Sequence, residues 1–185
     1  LAILRHATSK IKAVSDLNTI GTLGFRGEAL PTIASVSRFS LLTRQEGEDL
    51  GTRVDICGGQ EPDIREAGCS LGTTIKVEDL FFNTPARKKF LKTTHTEGGK
   101  INDFIVKLAL SRPDIAFQFI NNNKVSVVTP GNGNLFDAIR AIYGGRAADS
   151  LLALSLDGEE IHISGYITKP SMLKSSRAWQ TYIVN

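Results

Sequence analysis

The chain has 185 residues, of which 41% are apolar, and a formal net charge of +3. This length allows one domain or two, and the apolar fraction is sufficient for a packed core. No apolar run approaches the roughly 18 residues of a membrane span, and no signal peptide opens the chain, so we expect a soluble, cytoplasmic protein. The modest positive charge permits an anionic partner such as a nucleotide or a nucleic acid without requiring one. Cys57 and Cys69 lie at no metal-ligand spacing, which predicts two reduced thiols.

The first residues predict the end of a buried helix at 1–4, followed by a polar turn. In this turn Thr8 and Ser9 carry hydroxyl groups and Lys10 an ammonium group, a combination that can bind phosphate. The alternative is a helix C-terminus with a basic residue near its end, followed by a solvated loop. Ser15 and Asp16 then predict the cap of a short helix that runs through Ile20.

A glycine-rich turn occupies the next segment, where residues 21–37 read GTLGFRGEALPTIASVS. Gly21, Gly24 and Gly27 recur every third residue, and glycine lets the backbone approach a ligand closely with positive φ. Arg26 adds a guanidinium group suited to phosphate oxygens, and unpaired N–H groups at the start of a following helix would add to it. This pattern predicts a phosphate-binding loop, and the alternative is a tight loop capped by a surface arginine.

Pro31 constrains where the helix after this turn begins. Proline is tolerated within the first helical turn, so we expect the helix to begin near Glu28 or Ala29. This start leaves the amides around Arg26 and Gly27 available to a ligand. Apolar residues at helical spacing follow. We expect the apolar face that carries Ile33 and Val36 to be exposed.

Alternating apolar residues between turn signals predict four strands in the first half of the chain, at 38–44, 51–57, 64–67 and 73–77. The first two should pair in antiparallel fashion through the turn at 46–49. A threonine hydroxyl at a strand edge, that of Thr73, could reach a ligand, although the β-propensity of threonine alone would also explain this residue.

A short basic helix is predicted after these strands. Asn83 or Thr84 should cap it, with Pro85 at its first position. Its basic residues are Arg87, Lys88, Lys89 and Lys92, and the residues expected to anchor it to the core are Phe81, Phe82, Phe90 and Leu91. The basic side chains could contact DNA, or they could form a solvated face.

The second half of the chain predicts an α+β pattern. A helix at 97–111 should bury a face that comprises Ile101, Phe104, Ile105, Leu108 and Ala109. A β-hairpin at 115–128 follows, and the cluster of glycine, proline and asparagine at 130–134 predicts a domain boundary. Beyond it we expect a helix at 135–143 and strands at 151–156, 160–168 and 179–184.

Three motifs, RHATSKI, LGFRGEAL and DLFFNTPARKKFL, together resemble the MutL family of DNA mismatch repair ATPases, which belongs to the GHKL ATPase superfamily. The resemblance covers the whole chain. It implies a two-layer α/β sandwich of the GHKL (Bergerat) type without its N-terminal portion at 1–130, followed by the start of an α+β transducer domain at 131–185. Both chain ends interrupt a predicted element, so we expect an internal segment of the family's N-terminal ATPase region.

The resemblance also implies a binding site for ATP and Mg²⁺. It assigns Thr8, Ser9 and Lys10 to the ATP lid and Thr73 to the strand under the nucleotide. It assigns to the phosphate loop the residues Gly24, Phe25, Arg26, Gly27, Glu28, Ala29 and Leu30.

Other parts of the family's site have no counterpart in this chain. The family's general-base glutamate, its Mg²⁺-binding asparagine and its adenine-contacting segment would precede residue 1, and its transducer lysine would follow residue 185. Glu28 is the only acidic residue in the glycine loop, and we do not assign it as the general base. Pro31 stands where the family pattern leads us to expect alanine. We therefore expect no catalytic residue and no metal ligand within the chain.

The resemblance further implies an ATP-dependent conformational switch in mismatch repair. The expected partners are ATP, other mismatch repair proteins, a second copy of the chain in a homodimer, and DNA bound weakly and without sequence specificity. In a bacterium the protein should be cytoplasmic and associated with the nucleoid. The alternative is a scaffold that binds nucleic acid or protein and whose ATPase machinery has decayed.

Overall fold

The computed structural model describes residues 2–4, 6–11, 16, 22, 24, 26–159, 161–172 and 175–184. The chain forms two compact units, Leu1–Leu91 and Lys92–Asn185. The predicted boundary after residue 130 falls inside the second of these units and stays a prediction. The helix predicted to end near residue 20 lies largely outside the described residues.

The helices are α1 (Ala29–Ser35), α2 (Pro85–Lys88), α3 (Thr94–Ser111), α4 (Leu135–Tyr143) and α5 (Gly145–Ala148). The strands are β1 (Arg38–Arg44), β2 (Gly51–Cys57), β3 (Asp63–Ala67), β4 (Gly72–Glu78), β5 (Gln118–Asn121), β6 (Lys124–Val128), β7 (Leu151–Asp157) and β8 (His162–Thr168). None of the described helices combines the length and the apolar character needed to cross a membrane.

The first unit is built on an antiparallel sheet with the strand order β3-β2-β1-β4. Its core lies between α1 and the two central strands and consists of Ala34, Phe39, Leu41, Val54 and Ile56. Phe39 lies opposite Ile56, and Leu41 opposite Val54. Residues directly opposite each other in an antiparallel pair point to the same side of the sheet, so these four side chains form one apolar face. The antiparallel pairing of β1 and β2 confirms the prediction.

The apolar face extends beyond the part that α1 covers. Ile75 and Val77 of β4 lie opposite Leu41 and Phe39, yet they remain 45% and 42% exposed. The expectation that Ile33 and Val36 would be exposed is wrong, because Val36 is buried and Ile33 packs against the core. In this unit the uncovered apolar surface therefore includes the edge strand β4.

The opposite face of the sheet carries charged side chains. Asp55 accepts hydrogen bonds from Arg53 at 2.7 Å and from Arg65 at 3.0 Å. Hydrogen bonds from Arg53 and then from Ser40 hold the pKa of the Asp55 carboxyl below its ordinary value. Because these ion pairs are partly exposed, they contribute little to stability and keep this face in water.

In the second unit α3 packs against α4 and against the β5–β6 hairpin. The helix begins at Thr94, three residues before the predicted start, because the hydroxyl of Thr93 caps it by accepting from the Thr96 amide at 3.3 Å. The Asn134 side chain caps α4 by accepting from the Phe136 amide at 2.9 Å. The β7–β8 hairpin follows. The bounds of α4 and the hairpin confirm the α+β pattern.

Two predicted elements, one near each end of the chain, differ from the structure. Among residues 2–4 a turn replaces the predicted helix, and Ile3 packs on the core of the first unit. The strand predicted at 179–184 is wrong: a single 3-10 turn at Arg177–Trp179 is followed by irregular chain. No strand among the described residues pairs with this segment, and β-propensity alone does not form a strand.

Apolar side chains that the sequence placed in the core are also exposed. Phe90 is 80% exposed, and Phe82 and Leu91 are exposed as well, so the predicted anchoring of α2 by these three residues is wrong. On α3, Ile101 and Phe104 are exposed, while Ala109 and Leu110 are buried. The spacing of apolar residues thus identified one face of α3, but the rest of the structure covers only part of that face.

Replacing Phe39 tests the location of the core. Phe39→Ala removes a ring that is 2% exposed, which should lower the free energy of unfolding by about 3–5 kcal/mol. The measurement is chemical denaturation of the 185-residue chain. Phe90→Ala is the matched control, since it removes the same ring from an exposed position and should cost only about 0.5 kcal/mol. Equal losses in both variants would contradict this account of the core.

Candidate functional site

The glycine loop leads directly into α1. Gly27 has a φ of +66°, in the region that glycine adopts without strain. The hydroxyl of Thr22 donates to the Gly24 carbonyl at 3.1 Å, and the Thr32 amide donates to the Glu28 carbonyl at 3.0 Å. The helix begins at Ala29, as Pro31 led us to predict.

The loop is in contact with the polar segment near the start of the chain. A Cβ atom on Gly27 would overlap the Ala7 carbonyl and would lie 3.0 Å from the Ala7 amide nitrogen. Beside this contact, His6 Nδ1 and Glu28 Oε1 are 3.0 Å apart. This contact between two exposed side chains adds little energy, so the close backbone approach at Gly27 is the stronger constraint. The structure therefore brings the two predicted phosphate-binding segments together.

The residues after Ala7 carry two hydroxyl groups and an ammonium group. The Lys10 amide donates to the Thr8 hydroxyl oxygen at 3.1 Å, which forms a local turn. Ser9 and Lys10 are exposed, and so is Arg26 in the glycine loop. Two cationic side chains and two hydroxyl groups thus lie on segments that meet at Gly27, a composition suited to an anion.

The other predicted site residues have different surroundings. Leu30 packs against the core of the first unit, and Ala29 is exposed at the start of α1. Phe25 lies outside the described residues. Thr73 lies opposite Thr43, and their hydroxyl oxygens are 2.8 Å apart, so the described contact of Thr73 is with the neighbouring strand. The role of every residue in this set stays a prediction.

No metal centre forms among the described residues, since no group of three or more His, Cys, Asp or Glu side chains is placed to hold an ion. Glu28 is directed at His6.

Cys57 and Cys69 are free thiols. Cys57 is the last residue of β2. The Cys69 sulfur lies close to Gly51, the first residue of β2, since a Cβ atom on Gly51 would overlap it.

His6 and Asn83 have partners that the sequence alone does not predict. His6 belongs to the RHATSKI motif, but its pairing with Glu28 spans a separation that a single sequence does not reveal. Asn83 was predicted as a helix cap, whereas its side chain donates to the Ser35 carbonyl at 2.9 Å. The only local signal for Asn83 was its place just before the Thr-Pro start of α2.

Solved structures define the class of protein. The chain matches the Aquifex aeolicus MutL ATPase domain complexed with ADP at a TM-score of 0.63 and 27% identity, over 78% of this chain and 56% of that one. It matches the N-terminal domain of a DNA repair protein at a TM-score of 0.73, over 96% of this chain and 56% of that one, at 22% identity, which shows the fold alone. The fold is that of a GHKL-type ATPase domain.

Sequence relatives define the family. The chain is 46% identical over 185 residues to the DNA mismatch repair protein MutL of Desulforamulus reducens, covering 100% of this chain and 29% of that protein. It is 49% identical over 184 residues to MutL of Clostridium botulinum, covering 27% of that protein. No protein-family model matches the chain. The chain belongs to the MutL family, and it spans less than a third of the length of these relatives.

A substitution at Gly27 tests whether the loop and the residues 6–10 are held together. Gly27→Val introduces a β-branched side chain at positive φ and against the Ala7 backbone, at a cost of about 1–3 kcal/mol from the backbone strain alone. Amide hydrogen exchange at 7–10 and 26–30 should therefore become faster, while β1 and β2 keep their protection. Gly24→Ala is the control, because a Cβ there meets nothing within 4 Å. Unchanged exchange in the valine variant would contradict the contact.

Proposed function

We propose that this chain holds the phosphates of ATP in an ATPase domain that serves as a conformational switch in DNA mismatch repair. The observation that carries the proposal is the contact of Gly27 with the Ala7 backbone, which joins the glycine loop to the hydroxyl-bearing turn at 8–10. The name of the relatives supports the repair role, and the ADP complex of the Aquifex aeolicus domain supports nucleotide binding.

The residues of the glycine loop and of the turn at 8–10 would stabilise phosphate charge electrostatically. Arg26, Lys10 and the loop amides would hold the β- and γ-phosphates and concentrate positive charge where negative charge develops during phosphoryl transfer. The turn at 8–10 would become ordered over the nucleotide, and such ordering of a segment is a common way to couple a nucleotide to a larger conformational change. In this protein the coupled change would be dimerisation and the recruitment of other mismatch repair proteins.

Mg²⁺ would neutralise phosphate charge in the complete ATPase site, but the described residues do not form a cluster suited to it. We assign none of the described residues to Mg²⁺ or to general-base catalysis. On this proposal the 185-residue chain supplies phosphate affinity without turnover, the transducer domain begins near residue 131, and the protein acts in the cytoplasm.

Replacing Arg26 tests the proposed site. Arg26→Ala removes a charge-assisted hydrogen bond, which contributes on the order of 1.5–3 kcal/mol, so ATP should bind roughly 10- to 150-fold more weakly. Binding is measured by titration calorimetry in the full-length protein. Arg65→Ala is the control, since it removes an equal charge from the charged sheet face. Wild-type affinity in the Arg26 variant would overturn this role, and a wild-type protein that binds DNA but no nucleotide would favour the scaffold alternative.

DNA binding is a second candidate function, favoured by one surface. Arg87, Lys88, Lys89 and Lys92 are all exposed on α2 and just beyond it. We propose that this basic surface contacts DNA phosphates. Because binding of this kind proceeds by counterion release, it should be weak, insensitive to sequence and steeply dependent on salt.

Salt dependence tests the basic surface. In Lys88→Ala/Lys89→Ala the slope of log affinity against log salt should become shallower by roughly 1–2, which corresponds to the loss of one or two phosphate contacts. Fluorescence anisotropy with duplexes of unrelated sequence measures it. Lys124→Ala, in the β5–β6 hairpin, should leave the slope unchanged. An affinity that stays constant as salt is raised would exclude an electrostatic origin.

A further inference from the structure

The C-terminus of α1 is completed by residues that are distant in sequence. A helix end leaves carbonyl groups without intrahelical partners, and these groups need donors from elsewhere. The Asn83 side chain donates to the Ser35 carbonyl at 2.9 Å, and the Phe81 amide donates to the Val36 carbonyl at 2.7 Å. The same Asn83 amide group lies 3.4 Å from the Gly58 carbonyl. One side chain therefore joins the end of α1 to the turn after β2.

The segment that carries Asn83 is held in an uncommon backbone conformation. Asp79 and Phe81 have positive φ values of 50° and 64°, and for a bulky residue such as phenylalanine this is a strained conformation. Strain of this kind persists where surrounding contacts fix the backbone. Here Arg38 donates to the Asp79 carboxylate at 3.0 Å, and its guanidinium lies 5.2 Å from the centre of the Phe82 ring.

Asn83 is accordingly aimed at α1 rather than at its own helix. It immediately precedes Thr84, the N-cap residue of α2, yet α2 has no side-chain cap hydrogen bond. An asparagine that served α2 would direct its side chain at the amides of that helix. The amide group instead donates to the carbonyl of a residue 48 positions earlier in the chain.

We infer that Asn83 is a positioning residue for the glycine loop. α1 has only seven residues, so a change at its C-terminus moves its N-terminus as a rigid piece, and the N-terminus continues directly into Glu28 and Gly27. Asn83 caps α1 from across the fold and thereby fixes the helix that presents the loop. The effect on nucleotide affinity rests on the proposed function of that loop, whereas the effect on α1 does not.

Hydrogen exchange in the 185-residue chain tests the effect on α1 without any nucleotide. Asn83→Ala removes the donor, while Asn83→Asp places a carboxylate against two carbonyl oxygens and should perturb α1 more. We expect the amides at 26–37 to exchange faster in Asn83→Asp by about tenfold, the equivalent of one lost hydrogen bond, and less in Asn83→Ala. Asn122→Asp, in the exposed β5–β6 turn, makes the same charge change as a control.

The pattern of exchange separates positioning from general destabilisation. If Asn83 positions α1, the amides of β1 and β2 keep their wild-type protection while those at 26–37 lose theirs. Equal acceleration in all segments, or none at 26–37, overturns the inference. ATP titration of the full-length protein provides the second readout, where Asn83→Asp should weaken binding and Asn122→Asp should not. If wild-type protein binds no ATP, the proposed function fails while the exchange experiment still decides the role of Asn83.

Discussion

The arrangement of the first unit depends on how one short helix is held in place. A helix of seven residues is not stable by itself, because so few hydrogen bonds do not repay the cost of nucleation. α1 is stabilised instead by the burial of Ala34 against Phe39 and by donors from residues 81 and 83 at its C-terminus. The sheet, the strained turn after β4 and the glycine loop therefore share one common neighbour, and a change in any of them is transmitted through α1.

Local sequence signals predicted the bounds of an element correctly where turn residues mark both of its ends. The bounds of β1, β2 and α4 agree with prediction because clear turn residues flank an alternating or helical pattern. The signals failed where pairing or packing decides. The segment at 179–184 has the composition of a strand, but no described strand pairs with it. Phe90 belongs to a motif that was expected to pack on the core, yet its side chain is exposed just beyond α2.

The candidate site shows the same division. The glycine spacing and the position of Pro31 predicted the loop and the start of α1 from neighbouring residues alone. The partners of the loop could not be predicted, because the pairing of His6 with Glu28 and the donation from Asn83 to Ser35 join residues far apart in sequence. Thr73 illustrates the reverse, since a hydroxyl expected to reach a ligand lies against the hydroxyl of the adjacent strand.

The close approach of Gly27 to Ala7 restricts amino-acid substitution at position 27 much more than at position 7. The atoms of Ala7 that a Cβ on Gly27 would meet belong to the backbone, which every amino acid possesses. Position 7 is therefore free to drift among side chains without disturbing this contact, whereas position 27 has no substitute for glycine. A mutation at position 27 could not be rescued by a compensating side-chain change at position 7, so the two positions should show no covariation even though they touch.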